Sequence, residues 1–531
     1  MDLLAELAQK DLDPALLDHV RVLLKQAEQS SQTITSCLAA IAVKDHRIKT
    51  GEIKIAALTL ELAHHRRMRF ANKSEAFSVA QRDLFQETWN TDLAAMETEL
   101  AQLGDARNAD HDTPKPKRLR AGRQPLPEHL PRIEHRHEPV SCLCGACGQG
   151  LVKIGEDVSE QLDVEPARFF VHRHIRPQYA FRACETVTAA AVPPAIVDGG
   201  MAAVGLLAWV ALSKLVDHLP LYRIEQIGAR QGVALPSSTL SDWMGQVGVA
   251  LQPLAERLAQ LQRLRPTLHA DETPVRQLDP GKGKTKCAYL WAYRTNSLDD
   301  GPSIVVFDYQ TGRSGVHAKA FLQDWRGHLM VDDYAGYKAL FQTGITELAC
   351  LAHIRRKFFD IHAANGSAIA AEALRRIASL YAIEQQASST DAIARLQLRQ
   401  DKARPLLLAW RNWLIDMRKA VADGSGTAKA LDYALKRWPA LIRYADSGTL
   451  PIDNNPVENA IRPIAIGKKN WLFAGSERAG RRAAAIQSLF ATAKLNGLDP
   501  LRWLTETLEK LPTCPNSQID SLLPFAKSSA Q

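Results

Sequence analysis

The order of strand-like and helix-like segments between residues 266 and 352 constrains the fold of this 531-residue chain more than any other feature. After Pro266 the pattern predicts three strands rich in Val, Tyr, Thr and Trp, separated by turns that contain Gly or Asp. A helix, a strand, a second helix and a fifth strand follow. The predicted segments are residues 267–275, 286–294, 303–309, 318–325, 328–332, 337–341 and 347–352. A β-β-β-α-β-α-β order is that of a ribonuclease-H-like fold.

Three acidic residues lie at informative places in this order. Asp271 is on the first predicted strand, Asp332 ends the fourth, and Glu458 lies in the segment Asp-Asn-Asn-Pro-Val-Glu-Asn-Ala-Ile-Arg-Pro. Mg²⁺ takes oxygen ligands in octahedral geometry, and a pair of such ions can clamp the attacking and leaving oxygens of an in-line phosphoryl transfer. The three carboxylates are therefore candidate catalytic residues and metal ligands.

Each acid also has a purely structural interpretation. The run from Asn455 to Glu458 fits a capping box, with Asn455 as the N-cap, proline at the first helical position and Glu458 at the third. Asp271 could be a strand-end turn residue, and Asp332 could be solvated at an edge. Side chains alternate along a strand, so only one of Asp332 and Asp333 can face the metals. The pattern alone does not choose between these two.

The charge of the chain indicates a polyanionic partner. The net charge is +8 and the isoelectric point is near 9.0, and nucleic acid is the commonest such partner. One basic group lies in a Pro-rich segment that is either a solvated spacer, a phosphate-tracking arm, or both: Lys115, Lys117, Arg118, Arg120 and Arg123. A second group is suited to phosphates, or is a solvated helix face: Lys468, Lys469, Arg478, Arg481 and Arg482. Trp471 beside this group could stack on a base, although a core position is favoured.

The cysteines suggest structural zinc in a reducing compartment rather than a disulfide framework. Four of the eight gather in one segment, namely Cys142, Cys144, Cys147 and Cys184. Cys144 and Cys147 form a zinc-ribbon-type knuckle, but Phe181 stands where a second C-x-x-C pair would need a cysteine. Tetrahedral zinc needs four ligands. Cys142, His172 or His174 could complete the set, or the ribbon could have lost its metal.

The N-terminal segment is predicted to be helical, because it is mostly Ala, Leu, Glu, Gln and Lys. Ile53, Ala56, Leu60 and Ala63 fit a and d positions of a heptad. Two interpretations stay open: a coiled coil through which the chain self-associates, and an amphipathic helix packed on its own domain.

Residues 217–248 have the pattern of a helix-turn-helix. Gly232 ends the first helix, and Pro236 with Ser237 opens the second, with Ser237 as the N-cap. Ser237 and Ser238 are then candidate DNA contacts. The alternative is a helical pair with a purely structural role.

No membrane or export segment is predicted. The longest apolar run, residues 199–213, has 15 residues, fewer than the roughly 20 that span a bilayer, and it is interpreted as a buried helix. The acidic N-terminus lacks the pattern of a secretory signal. We therefore expect a cytoplasmic protein.

These patterns predict a multidomain α+β protein. The expected parts are a helical, coiled-coil-like region (1–103), a basic linker (104–140), a zinc-finger-like knuckle (141–190), a helical DNA-binding region with the helix-turn-helix (191–262), a ribonuclease-H-like catalytic domain (263–487) with a helical insertion (365–448), and a C-terminal helical segment (488–531).

Several motifs resemble the transposases of the bacterial insertion-sequence-66 family. They are His269-Ala-Asp-Glu-Thr-Pro-Val, Asp332-Asp-Tyr-Ala-Gly-Tyr, Cys350-Leu-Ala-His-Ile-Arg-Arg-Lys-Phe-Phe, and the run from Asp453-Asn-Asn-Pro-Val-Glu to Leu-Phe-Ala-Gly-Ser476. The likeness extends to Arg69-Phe-Ala-Asn-Lys-Ser-Glu, Gly122-Arg-Gln-Pro-Leu-Pro, the cysteine knuckle and Ser488-Leu-Phe-Ala-Thr-Ala-Lys. It departs from the family at Phe181, where zinc binding is put in question, and at Ala71, where the family usually has Gly.

The resemblance implies a DDE transposase that acts on DNA. Asp271, Asp332 and Glu458 would hold two Mg²⁺ ions, for which Mn²⁺ can substitute, and the resemblance selects Asp332 over Asp333. His353, Arg355 and Arg356 follow the fifth predicted strand, and for that reason we expect them close to the metals in supporting roles; for His353 a structural role is the alternative. The partners that the resemblance implies are the terminal repeats of an element, target DNA, further copies of the chain, and small companion proteins encoded by the same element. The location that it implies is the nucleoid of a bacterium. A catalytically silent DNA-binding relic and a nuclease that only hydrolyses are the rival hypotheses.

Overall fold

A computed structural model of the protein describes residues 14–70, 126, 128–138, 152–165, 168–181, 186–279 and 284–525. The described parts contain α-helices and two β-sheets, so the expectation of a multidomain α+β chain is confirmed. None of the helices in these ranges is long and apolar enough to cross a membrane.

The N-terminal region contains one long helix, α1 (Pro14–Phe70), as predicted. Ile53, one of the expected heptad residues, is buried. A second set of isoleucines recurs every seven residues on α1, and each of its side chains is more than half exposed: Ile34, Ile41, Ile48 and Ile55. The helix therefore carries an exposed apolar stripe with heptad spacing.

The first sheet has four strands. They are β1 (Arg132–Arg136), β2 (Val152–Glu165), β3 (Arg168–Phe181) and β4 (Thr186–Ala189). β3 pairs with β2 and β4 in the antiparallel sense and with β1 in the parallel sense. Leu162 and Phe169 of this sheet join a hydrophobic core that it shares with the helices that follow.

Three helices follow the sheet: α2 (Val204–Leu215), α3 (Leu221–Arg230) and α4 (Ser237–Gln262). α2 is buried along most of its length, as predicted from its apolar run. Gly232 lies in the turn between α3 and α4 with a φ of +73°, a conformation that glycine adopts without strain.

The assignment of Ser237 as N-cap is wrong. Pro236 occupies that position without a side-chain capping bond, and Ser237 is the first helical residue. The Glu225 carboxylate of α3 instead accepts a hydrogen bond from the Ser237 backbone N–H, at 3.1 Å, and another from its hydroxyl. An acid on the preceding helix thus satisfies a free N–H of α4 and ties the two helices together.

The second sheet has the five strands that the sequence predicts. They are β5 (Thr267–Asp279), β6 (Lys284–Thr295), β7 (Val305–Gln310), β8 (His328–Val331) and β9 (Thr346–Ala349). Their order across the sheet is β7-β6-β5-β8-β9, with β5, β6 and β7 antiparallel and β5, β8 and β9 parallel. β5 is therefore the central strand, with β6 antiparallel on one side and β8 parallel on the other.

The connections differ from the prediction only in detail. The helix between β7 and β8, α5 (Gly315–Leu322), begins three residues before the predicted start. The Ser314 hydroxyl accepts from the Val316 N–H at the start of α5, at 3.5 Å. The second connection, Ala335–Gln342, is a 3₁₀-helix. β9 ends at Ala349 rather than at residue 352, because α6 begins at Leu351.

A helical insertion separates β9 from the segment that carries Glu458, and its helices begin at Leu351 rather than at the predicted residue 365. It comprises α6 (Leu351–Asn365), α7 (Ala368–Gln386), α8 (Ala392–Leu398), a π-helical turn (Arg399–Ala403), α9 (Arg404–Ala420), α10 (Gly426–Leu441) and a 3₁₀-helix (Ile442–Asp446). Trp410 and Trp438 meet edge to face in its core, with ring centroids 5.4 Å apart.

Arg399 ties this insertion to the chain that leads back to the sheet. Its guanidinium is fully buried and pairs with Glu384, Nη2 to Oε2 at 2.6 Å. It also donates to the carbonyl oxygens of Tyr444 at 3.0 Å and Leu450 at 2.9 Å. The π-helical turn thus fixes the path of residues 444–450.

Replacing Arg399 with alanine should lower the free energy of unfolding by about 3–5 kcal/mol, because the partly buried Glu384 carboxylate and the buried carbonyls lose their donor. Urea unfolding followed by circular dichroism measures this. Arg375→Ala is the matched control, since Arg375 pairs with Glu372 at the surface and should contribute less than about 1 kcal/mol. Equal losses in the two variants would contradict the role assigned to Arg399.

Three α-helices follow the insertion: α11 (Asn455–Trp471), α12 (Glu477–Leu495) and α13 (Pro500–Lys510). Two 3₁₀-helices, Leu511–Thr513 and Asn516–Leu522, complete the described chain. α12 covers the edge strand β7. The Ser488 hydroxyl accepts from the Phe307 N–H at 2.7 Å, and the Thr492 hydroxyl accepts from the Val305 N–H at 3.2 Å. Residues of α12 and α13 also share one core with α2 and α4. The backbone donors of this edge are therefore satisfied by the C-terminal part of the chain.

Candidate active site

Two of the predicted acids lie at corresponding positions of neighbouring chain segments, Asp271 within β5 and Asp332 just after the parallel strand β8. β5 and β8 pair with His269 opposite Met330, and the same register two residues further on places Asp271 beside Asp332. Asp332 directly follows β8. Both carboxyl groups are partly buried.

Asp332 and Asp333 face different surroundings. The Asp333 carboxylate pairs with Lys436, at 2.9 Å, and with Arg437, at 3.5 Å, both on α10. Asp332 accepts a hydrogen bond from the Tyr334 N–H at 2.8 Å, and its charge acts on Asp271. The Asp333 side chain is therefore paired with the helical insertion, whereas the charge of Asp332 acts on Asp271.

Glu458 lies in the first turn of α11, and the predicted capping box is wrong. Asn454, not Asn455, occupies the N-cap position, and its own side chain makes no capping hydrogen bond. The Asn455 amide instead donates to Asp453, Nδ2 to Oδ2 at 2.8 Å. The Glu458 carboxylate lies 3.7 Å from Nδ1 of His353, Oε1 to Nδ1. Glu458 is therefore not used as a cap.

Asn454 connects the elements that carry the acids, and the sequence analysis missed it. Its fully buried amide lies 3.1 Å from His269 Nδ1 through Oδ1, and it donates to the Ala270 carbonyl at 2.9 Å through Nδ2. Its backbone N–H donates to Cys350 Sγ at 3.1 Å. One residue thus joins the start of α11 to β5, next to Asp271, and to the start of α6. A local pattern could not indicate this, because the partners are 184 and 185 residues away in sequence.

The acids repel one another. The pKa of Asp271 is raised to about 7, first by burial and then by the charge of Glu272, with further contributions from Asp332 and Glu458. The Glu272 backbone N–H, which donates to Asp271 at 2.9 Å, acts in the opposite sense. A divalent cation among these carboxylates would relieve the repulsion, so the donor set fits a hard metal ion.

Glu272 is a second acid that the sequence analysis did not assign. Its side chain is 1% exposed and pairs with Arg313, Oε1 to Nη2 at 2.6 Å. The Tyr337 hydroxyl donates to the same carboxylate at 2.9 Å. Arg313 and Tyr337 already supply hydrogen-bond donors to the Glu272 carboxylate. Glu272 therefore anchors the 3₁₀-helix that contains Tyr337 to β5, next to Asp271.

His353 and Cys350 lie next to Glu458. Cys350 immediately precedes α6 and is buried, which raises the pKa of its thiol to about 12. Its Sγ, a ring nitrogen of His353 and a carboxylate oxygen of Glu458 all lie within 4.8 Å of one another. Arg355 and Arg356 are exposed on α6, one turn beyond. Of the three expected supporting residues, His353 therefore lies beside the third acid.

In the predicted basic cluster after Glu458, some side chains are exposed, and others are buried or hydrogen-bonded within the protein. Lys468 donates to the Pro274 carbonyl at 2.8 Å and so braces β5. Arg482 is buried, at 7% exposure, and does not face solvent as a phosphate ligand would. Lys469 and Arg481 are exposed, and Arg481 pairs with Glu477 on its own helix at 2.5 Å. Arg478 is partly buried.

Trp471 is partly buried and packs against the core between the sheet and α11. The favoured core assignment for this residue is therefore confirmed.

Other predicted site residues are placed as follows. Ser238 is exposed and Ser237 partly buried at the start of α4. Outside the described residues lie the linker cations Lys115, Lys117, Arg118, Arg120 and Arg123 and the cysteines Cys142, Cys144, Cys147 and Cys184.

Both ring nitrogens of His172 and of His174 are engaged within the first sheet. His172 contacts Asp163 at 2.7 Å and His135 at 2.8 Å. His174 contacts Gln161 and His137, each at 3.1 Å. These contacts disfavour either histidine as the fourth zinc ligand.

Comparison with known families matches most of the chain. Residues 199–482 match the family model described as Transposase IS66 family, and residues 141–185 match the zinc-finger binding domain of transposase IS66. Residues 57–134 match the model described as Transposase C of IS166 homeodomain, and residues 488–525 match the IS66 C-terminal element.

Similar proteins come from Sinorhizobium fredii (strain NBRC 101917 / NGR234). The chain is 36% identical to the uncharacterized protein y4qI over 97% of both chains. It is 38% identical to the uncharacterized protein y4jD over 75% of this chain and 81% of that protein. It is 31% identical to the uncharacterized protein y4hP over 89% and 88% of the two chains.

Proposed function

This chain belongs to the IS66 transposase family, and from that premise we propose that it binds the terminal repeats of an insertion sequence and catalyses metal-dependent DNA cleavage and strand transfer. One observation carries the proposal: the three acids are close enough to act on one another. The β5–β8 register aligns Asp271 with Asp332, and the charges of both Asp332 and Glu458 raise the pKa of Asp271. The strand order, with the first strand central and parallel to the fourth, supports a ribonuclease-H-like catalytic domain.

Asp271, Asp332 and Glu458 would hold two Mg²⁺ ions, with Mn²⁺ as a substitute. Bound ions of this kind supply positive charge to the phosphate oxygens and polarise the attacking water or 3′-hydroxyl. The protein's own part is to place the ligands. The β5–β8 register aligns the first two, and Asn454 fixes the start of the helix that carries the third.

Exposed cations around the acids are suited to the DNA backbone. Arg355 and Arg356 on α6 and Lys469 on α11 are exposed and would contact phosphates. We assign end recognition to the basic linker, the knuckle and the α3–α4 helix pair. Structural zinc in the knuckle would be held by Cys144, Cys147 and Cys184, with Cys142 as the fourth ligand, because thiolates prefer zinc to magnesium.

The protein would self-associate through the isoleucine stripe of α1. If Ile34, Ile41, Ile48 and Ile55 occupy a positions, Cys37 falls at a d position, where a parallel two-stranded coil brings identical residues face to face. The later d positions include Lys44 and Gly51, so the association is weaker than that of a zipper with two apolar positions per heptad.

Mild oxidation of the full chain should therefore yield a disulfide-linked dimer through Cys37, which is exposed. Cys37→Ser should abolish the dimer band on a non-reducing gel. Cys287→Ser is the control, because Cys287 is also free and exposed, and it should leave the band unchanged. A dimer that persists without Cys37 would argue against this parallel pairing.

The proposed activity is tested with purified protein, Mg²⁺ and labelled DNA ends of the protein's own element. We expect nicks at the element boundary and, with a target plasmid, joined products; both should be lost in EDTA while end binding remains. End binding without cleavage in Mg²⁺ or Mn²⁺ would favour the silent relic, and cleavage without joining would favour a nuclease. A reaction that needs added companion proteins would place those proteins in the active complex.

A further inference from the structure

Cys350, His353 and Glu458 form a group whose chemistry differs from that of the acid cluster. A thiol, an imidazole and a carboxylate converge within 4.8 Å. Zinc binds sulfur at about 2.3 Å and nitrogen or oxygen at about 2.0–2.2 Å, so two ligands of one tetrahedral ion lie about 3.3–3.7 Å apart. The His353–Glu458 distance of 3.7 Å fits this spacing.

The backbone prepares these residues for an ion. Cys350 and His353 are three residues apart at the start of α6, and Glu458 lies in the first turn of α11. The Leu351 N–H donates to the Ile452 carbonyl at 3.1 Å and holds the two helix starts together. Partial positive charge at both starts favours anionic ligands.

The individual ligand atoms also fit a metal. Cys350 Sγ accepts a hydrogen bond from the Asn454 N–H, at 3.1 Å, and another from the His353 backbone. Burial raises the pKa of the thiol, and these two donors act in the opposite sense. Nδ1 of His353 is buried and makes no hydrogen bond to the described residues. His353 and Glu458 are each about one-third exposed in their side chains, which leaves an entry path for an ion.

We propose that Cys350, His353 and Glu458 bind a thiophilic divalent ion of the Zn²⁺ class, and that this ion inhibits DNA cleavage by withdrawing Glu458 from Asp271 and Asp332. Sulfur and imidazole select zinc over magnesium, so the site is distinct from that of the catalytic ions although it shares one carboxylate. On binding, the thiol proton passes to solvent and the sulfur coordinates the ion. The inhibitory part rests on the proposed function; the binding part does not.

The binding part is tested with Co²⁺, which reports thiolate coordination through its near-ultraviolet absorption. The full chain is titrated as wild type, Cys350→Ser, His353→Ala and the control Cys287→Ser. We expect Cys350→Ser and His353→Ala each to bind one Co²⁺ ion fewer per chain than wild type. Cys287→Ser should bind the same number of ions as wild type. Comparison between variants removes the contribution of the knuckle cysteines. His353 is partly exposed, so its variant decides the question if Cys350→Ser does not fold. Equal stoichiometry in His353→Ala and wild type would overturn the proposal.

The inhibitory part is tested by adding Zn²⁺ to the cleavage reaction in excess Mg²⁺. Each variant is compared with its own rate in the absence of zinc. Loss of one ligand should raise the half-inhibitory zinc concentration at least about tenfold in Cys350→Ser and His353→Ala, and leave it unchanged in Cys287→Ser. If the protein cleaves no DNA, the Co²⁺ titration still decides whether the site exists. Bound Co²⁺ with unaltered zinc sensitivity would refute the inhibitory role.

Discussion

Asp332→Ala should lose Mg²⁺-dependent DNA cleavage and strand transfer, by roughly 10³-fold or more, whereas Asp333→Ala should keep measurable activity. Metal ions at a phosphoryl-transfer site contribute several kcal/mol of transition-state stabilisation, and each 1.36 kcal/mol is a factor of about ten in rate. Asp333 already pairs with Lys436 and Arg437 on α10. Asp271→Ala and Glu458→Ala should be as inactive as Asp332→Ala. Single-turnover cleavage of labelled element ends measures all four rates.

Binding of the same DNA separates loss of chemistry from loss of folding. Each inactive variant should bind the element's ends with the affinity of the wild type, measured by gel shift in EDTA at fixed salt. Full activity in Asp332→Ala, or inactivity confined to Asp333→Ala, would overturn the assignment of the second acid.

Asp271→Asn should stabilise the metal-free protein at pH 8 by up to about 4 kcal/mol. The pKa of Asp271 is raised from 3.8 to about 7, and each unit corresponds to about 1.36 kcal/mol. The folded state therefore binds the proton more tightly than the unfolded state. Stability falls as pH rises from about 4 to about 7, and the full cost remains above pH 7.

Thermal unfolding in EDTA between pH 5 and pH 8 measures this effect. The difference in stability between Asp271→Asn and wild type should grow across that range. Mg²⁺ at pH 8 should stabilise the wild type more than the variant, because the ion neutralises a repulsion that the variant lacks. A pH-independent difference would show that the Asp271 charge is not the cause.

The central strands were predictable because their information is local. Alternating apolar residues and Gly or Asp turns define β5 to β9, and the acids stand at recognisable places in that order. The resemblance also distinguished Asp332 from Asp333; the ion pairs of Asp333 with α10 agree with that choice, although their partners are about 100 residues away.

The helix-cap predictions were wrong where a short sequence pattern was compatible with more than one set of contacts. The run from Asn455 to Glu458 satisfies a capping box, yet tertiary contacts place Asn454 at the N-cap and leave Glu458 beside His353. Ser237 precedes an apolar helical run and has a side chain that can cap a helix, but Glu225 of the preceding helix supplies the acceptor. The burial of Arg482 could not be predicted from a local pattern either. It depends on α4, a helix from a distant part of the sequence that packs against α12.

The contacts of Asn454 with β5 bear on when the proposed active site is assembled. They join residues 184 and 185 positions apart, and contacts of such long range form slowly because a large loop must first close. During synthesis the ribosome releases β5, β8 and the whole insertion before the third acid exists. A partly made or truncated chain therefore carries two carboxylates and exposed cations but no complete site. The connectivity of the fold thus delays assembly of the proposed active site until nearly the whole chain is present.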